Sequence, residues 1–171
     1  KNGSGKTTLM KIIAGLILPD SGHIESQSKK VCLINNNPRS FYWRLSCLEN
    51  LKFFGGLGGV SNADLKSNIY FYIDIFNMED SLNTPFRYLS SGQMQLMSLV
   101  RSLILKPDVL LLYEPTVNLD YDFKKSYINV VKNYIENNCA SALWSSHDFH
   151  EIKAVANSYC ILKDKKLVIT D

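Results

Sequence analysis

The sequence NGSGKTT at residues 2–8 decides the fold, because an apolar helical pattern, TTLMKIIAGLIL at 7–18, follows it directly. Glycines in such a turn let backbone N–H groups curl around phosphate oxygens, and the helix directs its positive end at the same point. Lys6 would then bridge the terminal phosphates of a nucleotide, while the Thr7 hydroxyl would bind Mg²⁺. The predicted phosphate-binding residues are Asn2, Gly3, Ser4, Gly5, Lys6, Thr7 and Thr8.

The alternative is an ordinary glycine turn with a capped helix and a solvated Lys6. The four fixed positions of G-x-G-K-T match by chance on the order of once in a hundred thousand windows, so this alternative is disfavoured. The first glycine of the full G-x-x-x-x-G-K-[ST] pattern is not present. We therefore expect the chain to begin inside the loop.

Composition places the chain among ordinary globular domains. It has 171 residues, of which 46% are hydrophobic and 20% charged, and no apolar run approaches the length of a membrane-spanning helix. A net charge of +3 without a block of like charges gives no sign of nucleic-acid binding. The cysteines are too widely spaced for a zinc site or a disulfide scaffold, so we expect reduced thiols at Cys32, Cys47, Cys139 and Cys160.

Strand-sized apolar runs alternate with helical patterns along most of the chain. This alternation predicts an α/β fold with a mostly parallel sheet covered by helices on both faces. Residues 47–86 instead read as a block of helices. The predicted strands are 31–34, 109–113, 141–146, 159–162 and 166–170, and the main helices between them are 94–105, 122–137 and 148–157.

LSSGQ at 89–93, followed by a helix and then by an apolar strand ending in Glu-Pro, resembles the signature sequence of ATP-binding cassette (ABC) proteins. The resemblance implies a P-loop NTPase in one domain, 1–171, with an inserted α-helical subdomain at about 47–105. It also implies a head-to-tail dimer in which the signature closes over the nucleotide of another ABC ATPase subunit, identical or different. A capped helix without ligand is the alternative, since Ser and Gly are ordinary cap residues. The signature residues that would meet the γ-phosphate are Ser90, Ser91, Gly92 and Gln93.

VLLLYEPTVNLD at 109–120 resembles the Walker B segment and D-loop of the same family. Glu114 matches the catalytic carboxylate and Asp120 the D-loop aspartate. Tyr113, however, stands where the family has the aspartate that holds the magnesium-bound water, and a phenol is neutral at pH 7. Either metal binding and turnover are impaired, or another group supports the metal; both remain open.

Two further positions match the family. His147, directly after a predicted strand, matches the switch histidine that hydrogen-bonds the γ-phosphate, although a lone histidine is more often structural. Asn36 stands nearest to the glutamine that touches Mg²⁺. The segment 39–54, RSFYWRLSCLENLKFF, resembles the corresponding segment of some bacterial exporters.

The resemblance implies an ABC-type ATPase that binds ATP and Mg²⁺ and drives transport of an unknown substrate, with export preferred, through transmembrane permease subunits. Such a subunit is peripheral, on the cytoplasmic face of the membrane. The alternatives are a nucleotide-binding, poorly hydrolysing subunit of a heterodimer and a soluble ABC protein acting on ribosomes. The strands with which the family begins would precede Lys1, so this chain alone should expose apolar surface.

Overall fold

The helices and strands follow one another in the order that the sequence predicts. A computed structural model describes residues 4–28, 30–35, 37–163 and 165–170. Within them the helices are α1 (Lys6–Ile13), α2 (Cys47–Leu57), α3 (Asn62–Ile75), α4 (Ser91–Leu103), α5 (Tyr121–Asn138) and α6 (Phe149–Val155). The strands are β1 (Val31–Ile34), β2 (Val109–Tyr113), β3 (Ser141–Ser145), β4 (Tyr159–Lys163) and β5 (Lys166–Thr170).

Strands β1, β2 and β3 form a parallel sheet with β2 at its centre. Val109 is in register with Val31 on one side and with Ser141 on the other, and the three strands run on together to their carboxyl ends. Leu110, Leu111 and Leu112 of β2 are buried, as expected for a central parallel strand covered on both faces. The predicted α/β fold with a parallel sheet is confirmed.

The last two strands do not join this sheet. β4 pairs antiparallel with β5, and Lys163 and Lys166 form the closing pair of the hairpin. Joining a parallel neighbour requires a crossover of a dozen or more residues, whereas these two strands lie almost end to end in the sequence. Residues 159–170 therefore form an antiparallel hairpin beside the parallel sheet.

Helix α1 is shorter than the apolar pattern at 7–18 predicts. It ends at Ile13 because Gly15 takes a left-handed conformation with φ of 70°, and the N–H groups of Gly15 and Leu16 bond back to the carbonyls of Ile12 and Lys11. This pattern of bonds satisfies the last carbonyls of a helix and stops it. Only Met10 of the helix is buried, and the apolar residues 16–18 beyond it are exposed.

The helical block packs around its own apolar side chains. Ser46, Ser61 and Ser90 cap α2, α3 and α4 with side chains that accept a backbone N–H, which sets where each helix starts. The boundary of a separate subdomain at 47–105 stays a prediction, since the same hydrophobic core continues into the sheet. The buried apolar residues of the block are Cys47, Leu51, Leu65, Ile69, Ile73, Phe76, Met78, Leu82, Phe86, Leu89, Leu96, Met97, Leu99, Val100, Leu103 and Ile104.

In the part of the chain that the structure describes, no helix has the length and apolar character needed to cross a membrane.

Two adjacent glycines of α2 test the packing of this block. A Cβ at position 55 would lie 2.3 Å from Cδ1 of buried Leu65, whereas a Cβ at position 56 would meet nothing within 4 Å. We expect Gly55→Ala to lower the free energy of unfolding by about 1–3 kcal/mol through overpacking. The matched Gly56→Ala should raise it by roughly 0.5–1 kcal/mol, because alanine favours a helix. Urea unfolding of the two variants checks this, and equal effects at both positions would contradict the described packing.

Candidate nucleotide and catalytic site

The candidate site lies where β2 and β3 end. Glu114 follows β2, and its backbone N–H donates to the carbonyl of Ser145, the last residue of β3, at 2.9 Å. Glu114 has a φ of 48°, which is uncommon for a residue with a side chain. The left-handed turn breaks the strand there, and the Glu114 side chain is 12% exposed. Strained backbone of this kind is concentrated at functional sites.

Three of the predicted residues meet at this edge although they are far apart in the sequence. His147 Nε2 lies 2.8 Å from Glu114 Oε1, and Lys6 Nζ lies 3.5 Å from the same His147 nitrogen. Both contacts use the same ring nitrogen: an unprotonated Nε2 accepts from the Lys6 ammonium, whereas a protonated Nε2 would face the Glu114 carboxylate. The cluster therefore brings a carboxylate and an ammonium group to one imidazole nitrogen.

The loop before α1 has the geometry expected for an anion site. Gly5 has a φ of 101°, a conformation that side chains rarely adopt, and it directs the first turn of α1. Ser4 Oγ is buried and finds no hydrogen-bond partner among the described residues. No acidic residue stands in the first turn of the helix, where Thr7 and Thr8 follow Lys6. Asn2 and Gly3 lie outside the described residues.

These residues fit the phosphates of a nucleotide. An orphaned hydroxyl, a lysine and the N–H groups at the start of α1 are the donors that phosphate oxygens require. A cleft of about 530 Å³ opens beside them, lined by Ser4, Lys6 and His147 together with side chains of β3, α5 and β4.

The fit to Mg²⁺ is less complete. Thr7 offers a hydroxyl. Tyr113, however, ends β2 beside Glu114 and supplies a phenol at the position where the family resemblance implies an aspartate. Asn36 lies outside the described residues. Among the residues that are described, no three His, Cys, Asp or Glu side chains are grouped so as to hold a metal ion. Mg²⁺ would thus depend largely on the phosphates themselves, as it does in many nucleotide sites.

The signature residues form a helix start of their own, at α4. Ser90 Oγ accepts the Gln93 N–H at 3.2 Å, and the Gln93 side chain accepts the Ser90 N–H at 2.9 Å, which completes a capping box. Gln93 also donates to Ser81 Oγ at 3.4 Å, so its side chain serves the local fold. Ser91 remains exposed at the first turn.

The loop from Glu114 to Asp120 packs against that helix. A Cβ at Gly92 would lie 3.5 Å from the carbonyl oxygen of Asn118, and the buried amide of Gln95 donates to the carbonyl of Pro115. Asp120 ends the loop by capping α5, accepting the Phe123 N–H at 3.0 Å. The sequence analysis missed Gln95. A polar residue in the middle of an otherwise apolar helical pattern was the signal that could have revealed it.

A second buried polar residue, Glu151 in α6, was also missed. Its carboxylate is reached by donors from the loop after β2, from α5 and from β3. One of them is Lys124, whose hydrogen bond to Glu151, followed by one to Asp148, raises the pKa of the ammonium. The residue lies outside the motifs named above, in the helical pattern at 148–157 to which the sequence analysis gave no role.

The family model described as ABC transporter matches residues 1–117, more than half of the chain. The chain belongs to the ABC transporter family. The sequence-based identification is thereby confirmed, and P-loop, signature and Walker B segment can be used as names for 2–8, 89–93 and 109–114.

Relatives of this ABC protein are ATP-binding proteins of transporters. It is 27% identical to NatA of Bacillus subtilis (strain 168) over 179 residues, an alignment that covers 98% of this chain and 72% of NatA. It is 28% identical to the Fe(3+) ions import protein FbpC of Escherichia coli (strain K12), covering 94% of this chain and 49% of FbpC. The molybdate/tungstate import protein WtpC of Pyrococcus horikoshii is 27% identical, with coverages of 98% and 51%. The chain thus spans about half the length of the two import proteins.

Solved structures share the fold. An ATP-binding subunit of an ABC transporter superposes with a TM-score of 0.90 at 23% identity, covering 98% of this chain and 73% of that one. The cbiO1 subunit from Clostridium perfringens, part of the ABC transporter complex cbiONQ, gives a TM-score of 0.81 at 18% identity, covering 99% and 73%. At these identities the likeness establishes the P-loop fold alone.

The phosphate site is tested by two lysines of α1. We expect Lys6→Ala to raise the Kd for a fluorescent ATP analogue by at least about tenfold, because a hydrogen bond to a charged group contributes roughly 1.5–3 kcal/mol. Lys11→Ala removes the same charge from the far end of the helix and should leave the Kd within about twofold. Equal losses in the two variants would mean that only net charge matters and would contradict the assignment.

Proposed function

We propose that this chain binds ATP with Mg²⁺ and hydrolyses it to drive transport of a substrate through transmembrane permease subunits. The observation that carries the proposal is the meeting of Lys6, His147 and Glu114 at the edge of the parallel sheet. Three separate sequence motifs supply these residues. Their convergence matches what phosphoryl transfer asks of a protein, which is positioning and electrostatic stabilisation.

Each residue has a distinct part in the proposed reaction. Lys6 and the N–H groups of α1 hold the phosphate chain and offset its negative charge. Glu114 orients a water molecule and draws on its proton as the oxygen attacks. His147 Nε2 lies 2.8 Å from Glu114 Oε1 and next to Lys6, and a protonated Nε2 would donate to a γ-phosphate oxygen placed there. His147 can therefore report whether that phosphate is present.

The proposed assembly is a head-to-tail dimer with another ABC ATPase subunit, identical or different. Within this chain the P-loop lysine, Lys6, contacts His147, whereas the signature residues contact other segments. Gly92 packs near Asn118, and Gln93 donates to Ser81. A second subunit would bring its own signature helix to this P-loop, with the exposed Ser91 at the first turn of α4 offering N–H groups to the γ-phosphate. Asp120, exposed at the start of α5, would face the partner.

A second candidate function is a nucleotide-binding subunit with weak hydrolysis, paired with an active partner. Tyr113 favours it, because this residue ends β2 next to Glu114 and supplies no charge for a metal. Both candidates are subunits of a transporter, and they differ in the rate of phosphate release.

The proposed location is peripheral, at the cytoplasmic face of a membrane beside the permease. The direction of transport stays a prediction. The segment 39–54 favours export by resemblance alone, whereas FbpC and WtpC are named as import proteins.

The catalytic assignment predicts the effect of Glu114→Gln in the protein assembled with its membrane partner. We expect phosphate release to fall at least about a hundredfold while ATP binding is kept, since the amide still orients water but accepts no proton. The measurement is phosphate release alongside a nucleotide-binding titration. A rate that survives the substitution would overturn the role of Glu114, and no rate in either form with ATP bound would favour the poorly hydrolysing subunit.

Tyr113 is tested separately. If the phenol limits turnover, Tyr113→Asp should raise kcat by about tenfold or more, because a carboxylate restores negative charge beside Mg²⁺. Tyr113→Phe is the matched control, which removes the hydroxyl without adding charge and should not raise kcat. An equal rate in all three forms, measured at saturating ATP and Mg²⁺, would mean that Tyr113 does not limit hydrolysis.

A further inference from the structure

Glu151 is a charged side chain buried in the fold, outside every motif discussed above. It is 4% exposed and stands in the first turn of α6. Oε2 accepts the Thr116 hydroxyl at 2.6 Å and the Lys124 ammonium at 2.8 Å, while Oε1 accepts the Trp144 indole N–H at 2.6 Å. Both oxygens are therefore held by donors from three different elements.

These donors flank the two catalytic positions. Thr116 comes two residues after Glu114, and Trp144 comes three residues before His147. Glu151 itself follows His147 by four residues, in the first turn of α6. One carboxylate thus ties the segment that leaves Glu114 to both segments that border His147. Because Glu114 and His147 are only 2.8 Å apart, a small shift of either segment would change their contact.

Stability alone is a weak reason for such an arrangement. Burial of a carboxylate is costly, and a buried ion pair with its hydrogen bonds seldom stabilises more than apolar side chains of the same volume. The arrangement instead fixes the relative orientation of the elements, since each short hydrogen bond holds one of them against Glu151. The edge-to-face contact of Trp144 with Tyr127, at 6.0 Å between ring centres, restricts the indole further.

We propose that Glu151 is a positioning residue, which holds Glu114 and His147 in register through Thr116 and Trp144. The inference rests on the proposed hydrolytic function of the same site. The loop that Glu151 holds through Thr116 is held on its other side by Gln95, through the Pro115 carbonyl. Glu151 thereby also connects the switch histidine to the signature helix, along the short segment 114–120.

Two variants break the proposed contacts with little change in volume. Glu151→Gln leaves one oxygen acceptor and replaces the other by an amide donor, and Thr116→Val removes only the hydroxyl. In the protein assembled with its membrane partner, we expect each to lower kcat by about tenfold or more through misplacement of catalytic groups. The Kd for a fluorescent ATP analogue should stay within about twofold, because both side chains are buried and bonded to each other.

Tyr134→Phe is the matched control for loss of a buried hydrogen bond. Tyr134 lies on α5, the helix that carries Lys124. Its hydroxyl donates at 2.8 Å to the Pro107 carbonyl, at the opposite end of β2 from Glu114. It should lower the melting temperature to a similar degree and leave kcat unchanged. Thr116→Ser, which keeps a hydroxyl, should have a kcat at least about fivefold above that of Thr116→Val. Equal kcat values in Glu151→Gln, Thr116→Val and Tyr134→Phe would overturn the proposal.

Hydrogen exchange supplies a readout that does not depend on hydrolysis. Glu151→Gln should speed amide exchange in both 115–120 and 145–148, whereas Tyr134→Phe should not. Faster exchange confined to α6 would also overturn the proposal. If the unmodified protein releases no phosphate, the proposed hydrolytic function fails, and the exchange pattern still decides whether Glu151 holds the two segments together.

Discussion

The parallel pairing of β2 with β1 on one side and β3 on the other is the constraint on which the rest of the structure depends. Parallel strands bring their carboxyl ends to one edge, so Glu114 and His147 emerge as neighbours although 32 other residues separate them. The buried Leu110, Leu111 and Leu112 fix β2 in the core. Lys6, at the start of α1, lies at the same edge of the sheet, beside His147.

The segment 114–120 is where the local structures are joined. It leaves β2 in a left-handed turn, contacts the signature helix through Pro115 and Asn118, and enters α5 at the cap formed by Asp120. Its polar contacts to α4 and α6 are buried, and in a low-dielectric interior such contacts are costly to break. Hydrogen bonds of this segment therefore join the end of β2 to the starts of α4, α5 and α6.

Much of the fold could be predicted from the sequence, and the failures have specific causes. Strands β1 to β3 and helices α4 and α5 were found because long apolar runs and helical periodicity dominate those segments. The end of α1 was placed too late, because the apolar residues 16–18 continue the helical pattern although the Gly15 N–H already bonds back to Ile12. Strands β4 and β5 were both predicted, but their antiparallel pairing was not, because strand patterns do not say which strands pair. In the site, Lys6, Glu114 and His147 were found through motifs, whereas Gln95 and Glu151 have none.

The sequence by itself determined the family and predicted the phosphate-binding loop, the signature and the base, because fixed spacings of Gly, Lys, Ser and Glu carry the chemistry of such sites. Tertiary structure alone decided which of these residues meet. Only the sheet brings His147 within 2.8 Å of Glu114, and only packing shows that a glutamate in α6 is buried with Thr116, Lys124 and Trp144 around it. The reason is physical: a motif records local backbone and side-chain needs, whereas burial and hydrogen bonding between distant segments depend on the whole folded chain.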